Sequence, residues 1–146
     1  MSTTSSADVR ERIARAIEIR DWAVVGASDD PRKFGGRIYR NLKAAGYRVY
    51  AVNPTAETVD GDPVYASVKD LPPAVQVVDV VVPHWIGTRV ARETAEAGIK
   101  LFWLQPGAES DDLIAEAEAL GLEVIHDACA MVEKRVWDDG ADEGHD

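Results

Sequence analysis

The chain has 146 residues, 46% of them hydrophobic and 29% charged, with a formal net charge of −10 and a pI near 4.7. That is the length of one domain, enough to bury a continuous core. The acidic balance argues against a general nucleic-acid binder, which needs a basic face to displace counterions from phosphates.

No apolar run reaches the ~20 residues that cross a bilayer. The start, MSTTSSADVRERIAR, is polar and lacks the apolar segment of a signal peptide. Cys129 stands alone, with no intramolecular disulfide partner, so a reducing, cytoplasmic setting is expected.

In chain order, Ser5 or Ser6 caps a helix within residues 1–20 that places Val9, Ile13, Ala16 and Ile17 on one face. DWAVVG (21–26) is a short apolar run ending in glycine, as suits a strand buried on both sides. Residues 35–45 carry Ile38, Tyr39, Leu42 and Ala45 at helical spacing, closed by Gly46. YRVYAVNP (47–54) reads as a second strand stopped by Asn53-Pro54. Residues 55–73 read as turns around Asp60-Gly61, with one short helical turn near Ser67–Leu71.

VQVVDVVVP (75–83) is the most apolar strand and belongs in the middle of a sheet. A helix over Ile86–Ala97 closes at Gly98, and KLFWLQPG (100–107) is a fourth strand. Ser110 caps a helix over Asp111–Leu120 that closes at Gly121, LEVIHD (122–127) is a fifth strand, and a short helix follows around Ala128–Arg135. Residues 137–146 end in an acidic stretch expected to be disordered, which leaves 21–136 as the single domain.

Strands alternating with helices predict an α/β domain: a Rossmann-like, doubly wound parallel sheet of about five strands with helices on both faces. The favoured strand order is 3-2-1-4-5, with the switch point between the first and fourth strands. Ligands in such sheets bind outside the carboxyl ends of the strands at that point. The loops expected there are GASDDPRKFGG and QPGAES, flanked by NP and PHW.

In the first of these loops Gly26 permits a tight turn, and Ala27 and Ser28 are small enough for a ligand to approach the backbone. Ser28 adds a hydroxyl, Arg32 and Lys33 add positive charge, and Gly35-Gly36 stand where a helix start favours an anion. Together they describe a diphosphate site, although glycine turns after strands also serve packing alone. A dinucleotide fold usually carries an acid ~20 residues beyond its glycine loop. Here the second strand ends in Asn53-Pro54, and GxGxxG is absent, so NAD is disfavoured. No GxxxxGK[ST] supports nucleoside triphosphate hydrolysis.

VVGAS followed by a Pro-Arg pair, then GYRVYAVNP, GDPVY and FWLQPGA, resembles the small stand-alone CoA-binding domain proteins. These are similar to the N-terminal domain of the succinyl-CoA synthetase α subunit and of ADP-forming acyl-CoA synthetases, and the resemblance runs from about Ile19 to Arg135. It implies a Rossmann-like fold and a site for coenzyme A. Carried over by position, Gly26, Ala27 and Ser28 would lie against the phosphates, with Arg32, Lys33 and Gly35 in the same loop. Asn53 and Pro54, Pro83 and His84, and Gln105, Pro106 and Gly107 would line the other strand ends.

The phosphorylated histidine of succinyl-CoA synthetase belongs to a second domain, and this chain stops before one, so no ligase activity is inferred for it. The leading expectation is a non-catalytic holder of CoA or an acyl-CoA. The alternatives are the CoA-binding subunit of a multi-chain acyl-CoA ligase and an NAD(P)-binding regulator. Neither nucleic acid nor membrane is an expected partner; a partner chain or a homo-oligomer stays open.

His84, His126, His145 and Cys129 are too scattered for a zinc pattern. His126 and Asp127, as strand neighbours, are expected to point apart and form no catalytic dyad. Cys129 reads as a small buried residue or as a thiol at a helix start. Trp85 and Trp103 are candidates to stack on adenine, Trp103 being better placed for the core.

Overall fold

A computed structural model describes residues 5–137. The acidic stretch beyond Trp137 and His145 lie outside the described residues. Helix α1 (Ser6–Ala16) begins with a reciprocal capping box between Ser5 and Asp8. There follow β1 (Asp21–Val25), α2 (Phe34–Ala44), β2 (Arg48–Val52), β3 (Thr58–Val59) and β4 (Asp62–Tyr65). A 3₁₀ turn (Val68–Asp70) leads to β5 (Val77–Val80), α3 (His84–Glu96), β6 (Leu101–Leu104), α4 (Asp111–Ala119), β7 (Glu123–Ile125) and α5 (Ala130–Glu133). Among the described residues, no helix is long and apolar enough to cross a membrane.

The sheet has seven strands in the order β3-β4-β2-β1-β5-β6-β7, parallel throughout except for β3 against β4. The α/β class and parallel winding are as the alternation predicts, but the strand count and order need correction. The five long strands run second, first, third, fourth, fifth, because β4 takes the place beyond β2 that the sequence assigned to VQVVDVVVP. Counting β4 as the third strand restores the order 3-2-1-4-5-6. The switch point therefore lies between β1 and β5, and the loop after β5, not QPGAES on β6, faces the loop after β1.

Strand β4 was hidden because it contains Pro63 and pairs with β2 over two residues only, Ala51↔Val64 and Val52↔Tyr65. Its hairpin with β3 turns at Asp60, whose φ of 53° is left-handed. Side chains of α2 hold the hairpin: the Tyr39 hydroxyl donates to Asp62 at 2.6 Å, and Lys43 donates to Asp60 at 3.1 Å and Asp62 at 2.8 Å. Burial, then the Asp62 carboxylate, push the Tyr39 hydroxyl above its usual range.

Alternation along the strands divides the core in two. Trp22 and Val24 of β1 face α1, α2 and α5, where Ile13, Ile38, Leu42 and Ala130 pack around the Trp22–Trp103 ring pair. Ala23 and Val25 face α3 and α4, whose Val90, Ala91, Leu113 and Ala117 form the other cluster. Both buried indoles satisfy their N–H, Trp22 on the Ile19 carbonyl and Trp103 on that of Ala128.

One residue breaks the pattern. Asp79 stands mid-strand on β5 between Val24 and Trp103, 0% exposed, and neither carboxylate oxygen has a hydrogen-bond partner among the described residues. Burial pushes its carboxyl well above the usual carboxylate range.

At the far edge, Arg12 of α1 reaches around β7. Its Nη1 donates to the outward Val124 carbonyl and to Glu118 of α4, both at 3.0 Å, while Arg15 pairs with Glu123.

Candidate functional site

The loop after β1 is wedged against α2. The Gly26 N–H donates to the Val52 carbonyl at 2.9 Å, and its φ of +103° turns the chain off the strand. A Cβ on Gly35 would lie 2.0 Å from the Gly26 carbonyl oxygen, and one on Gly36 would lie 1.9 Å from that of Ser28. The glycine pair thus lets the first turn of α2 rest directly on the loop backbone, and Ala27 is fully buried beneath it.

Above this contact opens a cleft of about 840 Å³ at the switch point. Val25, Val52, Val81, Val82, Phe34 and Ile86 give it an apolar lining. Lys33 of the loop, Lys69 of the 3₁₀ turn and Arg89 of α3 reach it from three elements. None of the three has an ion-pair partner among the described residues, whereas most other basic side chains are paired.

Helix ends add to this. Serines cap α1, α4 and the 3₁₀ turn through Ser5, Ser110 and Ser67. Helices α2 and α3, which start at the cleft, have no side-chain cap on their first-turn N–H groups. Free amides with the positive end of a helix dipole suit an anion.

Of the residues the sequence singled out, Gly26, Lys33, Gly35, Asn53, Pro54 and Pro83 line this cleft. Ser28 does not line it: its Oγ accepts the Asp30 N–H at 3.0 Å. Arg32 turns away, 88% exposed, with Nε and Nη2 on the Asp30 carboxylate. The Arg32 guanidinium in turn holds the Asp30 carboxyl below its ordinary value. His84 opens α3 as an exposed residue edge-on to Trp85, itself 70% exposed.

Gln105 is buried on the α5 side, where its Oε1 accepts the Ala130 N–H at 2.9 Å and its Nε2 donates to Cys129 Sγ at 3.3 Å. Gly107, with φ of +97°, turns its N–H to Glu109. The displacement of Gln105 and Gly107 from the cleft follows from the strand order, since β6 lies one strand beyond the switch point. Trp103 is core, as expected.

Sequence reading missed Thr55, Lys69, Ile86 and Arg89 on the cleft wall. A signal existed for α3, where Ile86, Arg89, Val90 and Glu93 fall on one helical face.

His126 and Asp127 also need correction: His126 Nδ1 lies 2.6 Å from Asp127 Oδ2. Strand β7 ends at Ile125, and the left-handed φ of 62° at Asp127 swings its side chain back onto the ring. The pair borders a separate pocket of about 190 Å³ beside α1, and no hydroxyl or thiol bonds to His126 among the described residues.

A profile of the CoA-binding domain matches residues 20–135. The acetate–CoA ligase [ADP-forming] II subunit alpha of Pyrococcus furiosus is 42% identical over 82 residues, 56% of this chain and 18% of that subunit. The chain thus spans under a fifth of that relative. The uncharacterized protein YneT of Bacillus subtilis is 30% identical over 132 residues, 90% of this chain and 96% of YneT. A solved structure of a conserved hypothetical protein from Pyrococcus furiosus superposes with a TM-score of 0.76 at 43% identity, covering 79% of this chain and 99% of that one.

Proposed function

Because the chain belongs to the CoA-binding domain family, we propose that it holds CoA or an acyl-CoA without transforming it, the ADP diphosphate resting on the loop after β1. The observation that carries this is the convergence of Lys33, Lys69 and Arg89 with two uncapped helix starts on one cleft. A chain of net charge −10 repels a polyanion unless positive charge is concentrated locally. Against the carboxylates of Asp70 and Glu93 on the same wall, the three cations leave the cleft net positive, and its valines suit the apolar parts of the same ligand. A reducing cytoplasm fits the lone thiol of Cys129 and the absence of any described membrane-spanning helix.

Titration calorimetry with CoA, dephospho-CoA and NAD tests the reading. CoA binds most tightly if it is right; preference for NAD overturns it in favour of a dinucleotide-binding regulator. Lys33→Ala is expected to weaken CoA about five- to tenfold, the worth of one charge-assisted contact, with little change in melting temperature. Arg32→Ala, engaged with Asp30 away from the cleft wall, is expected to change affinity less than twofold. Equal effects of the two substitutions in calorimetry would show that the cleft does not discriminate between these neighbours.

The match to a ligase alpha subunit over 18% of its length supports a second reading, in which this domain supplies the CoA site of a multi-chain acyl-CoA ligase. Recovery of the tagged chain in complex with a nucleotide-binding ligase subunit, together with ADP-dependent acyl-CoA turnover, distinguishes it from a lone holder.

A further inference from the structure

We propose that Asn53 is a positioning residue of the cleft, not a ligand contact: its carboxamide braces the loops after β1 and β2 and holds the turn that carries Gly26 on the cleft wall. This rests on the reading of the cleft as an anion site.

Although Asn53 lines the cleft, its amide is engaged on the protein's own backbone. Nδ2 donates to the Ala27 carbonyl at 3.0 Å. Oδ1 accepts from the Thr55 N–H at 2.9 Å, the Thr55 hydroxyl at 3.0 Å and the Ala56 N–H at 3.2 Å. Three donors saturate the two lone pairs of that oxygen, so it has nothing left for a ligand.

The consequence falls on the Ala27–Ser28 peptide, which is trans. Carbonyl and N–H of a trans peptide point in opposite senses, so fixing the Ala27 oxygen toward Asn53 sends the Ser28 N–H away from β2. That N–H has no acceptor among the described residues. The other side of the loop is closed by Gly35 and Gly36, which press on the Gly26 and Ser28 carbonyl oxygens. Held between the amide and the helix, the peptide cannot rotate freely, and the turn at Gly26 on the cleft wall is set in place before any ligand arrives. A preorganised wall binds its ligand without the cost of ordering the loop.

Asn53→Asp separates the two halves of the brace, since a carboxylate keeps the acceptor for Thr55 and Ala56 but cannot donate to Ala27. In ligand-free amide NMR spectra, the variant is expected to shift the resonances of residues 27–30 and leave those of 55 and 56 near their wild-type positions. CoA affinity is expected to fall about tenfold, the cost of ordering on binding a loop that the brace no longer holds. The wild-type to variant ratio should hold between 50 and 500 mM salt, roughly the range over which screening removes long-range repulsion.

Unmoved 27–30 resonances, or wild-type affinity in the variant, overturn the proposal. A ratio that collapses at high salt also overturns it, by assigning the loss to the new charge. Wild-type protein that binds no CoA overturns the reading of the cleft instead, and the ligand-free spectra then judge the brace alone.

Discussion

Gly35→Ala is expected to cost at least ~3–4 kcal/mol of folding stability, enough to leave little native protein at 37 °C. Helix propensity predicts the reverse, since alanine in place of glycine favours a helix by up to ~1 kcal/mol. The sign is decided by the Cβ, which would stand 2.0 Å from the Gly26 carbonyl oxygen. Backbone of a buried loop cannot step aside as a side-chain tip can, so α2 must lift off the sheet. Strain is not the cause, because Gly35 sits in ordinary helical backbone and has no positive φ.

Gly36→Ala should behave alike, its Cβ meeting the Ser28 oxygen at 1.9 Å. Gly61→Ala and Gly98→Ala are the controls: both have positive φ and nothing within 4 Å of an added Cβ. Each is expected to cost only ~1–2 kcal/mol, from backbone alone. Urea unfolding of the four variants checks the order, and a Gly35→Ala protein as stable as Gly61→Ala would refute the close contact.

Asp79→Val is expected to act the other way and stabilise the fold by ~2–4 kcal/mol at pH 7. Valine continues the sequence of β5, where Val77, Val78 and Val80 are all buried, and removes two oxygens with no partner among the described residues. The gain should depend on pH, and its sign follows from linkage. Burial raises the folded-state pKa of Asp79 above its unfolded value, so the native state binds the proton more tightly. The wild type is therefore at its best relative to the variant below the unfolded pKa of ~3.9. It loses up to ~1.4 kcal/mol per pH unit as pH climbs toward the folded-state pKa.

Asp21, Asp30 and Asp62 have lowered pKa values and contribute the opposite slope, but they are common to both proteins and cancel in the difference. Urea midpoints of both proteins at pH 5 and pH 8 make the comparison. A stability gap that stays constant, or narrows as pH rises, would disprove the assignment.

The architecture was legible where the chain repeats a rule. Glycines closed α2, α3 and α4, serines opened α1 and α4, and short, largely apolar runs marked the inner strands. It was not legible where a weak local pattern is overridden by its surroundings. Strand β4 carries a proline and depends on the Tyr39–Asp62 and Lys43–Asp62 bonds, which join residues about twenty positions apart. Missing that strand displaced the switch point, and with it the expected roles of Gln105 and Gly107.

Within the site, sequence could not separate Arg32 from Lys33, adjacent residues of like charge. The position of Asp30 separates them, drawing one away from the cleft wall and leaving the other beside it. Asn53 was visible as a polar residue at a strand end, but the direction of its amide is a tertiary fact.

The reach of Arg12 around β7 bears on how the molecule can assemble. A three-residue border strand whose Glu123 N–H turns inward to Lys100 presents Val124 to the outside. An open border of that kind recruits a neighbour's strand and can propagate into fibres. Here the exposed carbonyl is already taken by a guanidinium that α1 folds over the rim and Glu118 anchors from the opposite layer. Helix α1 thus works as a selvedge: extension of the sheet past β7 is opposed by the chain's own first helix.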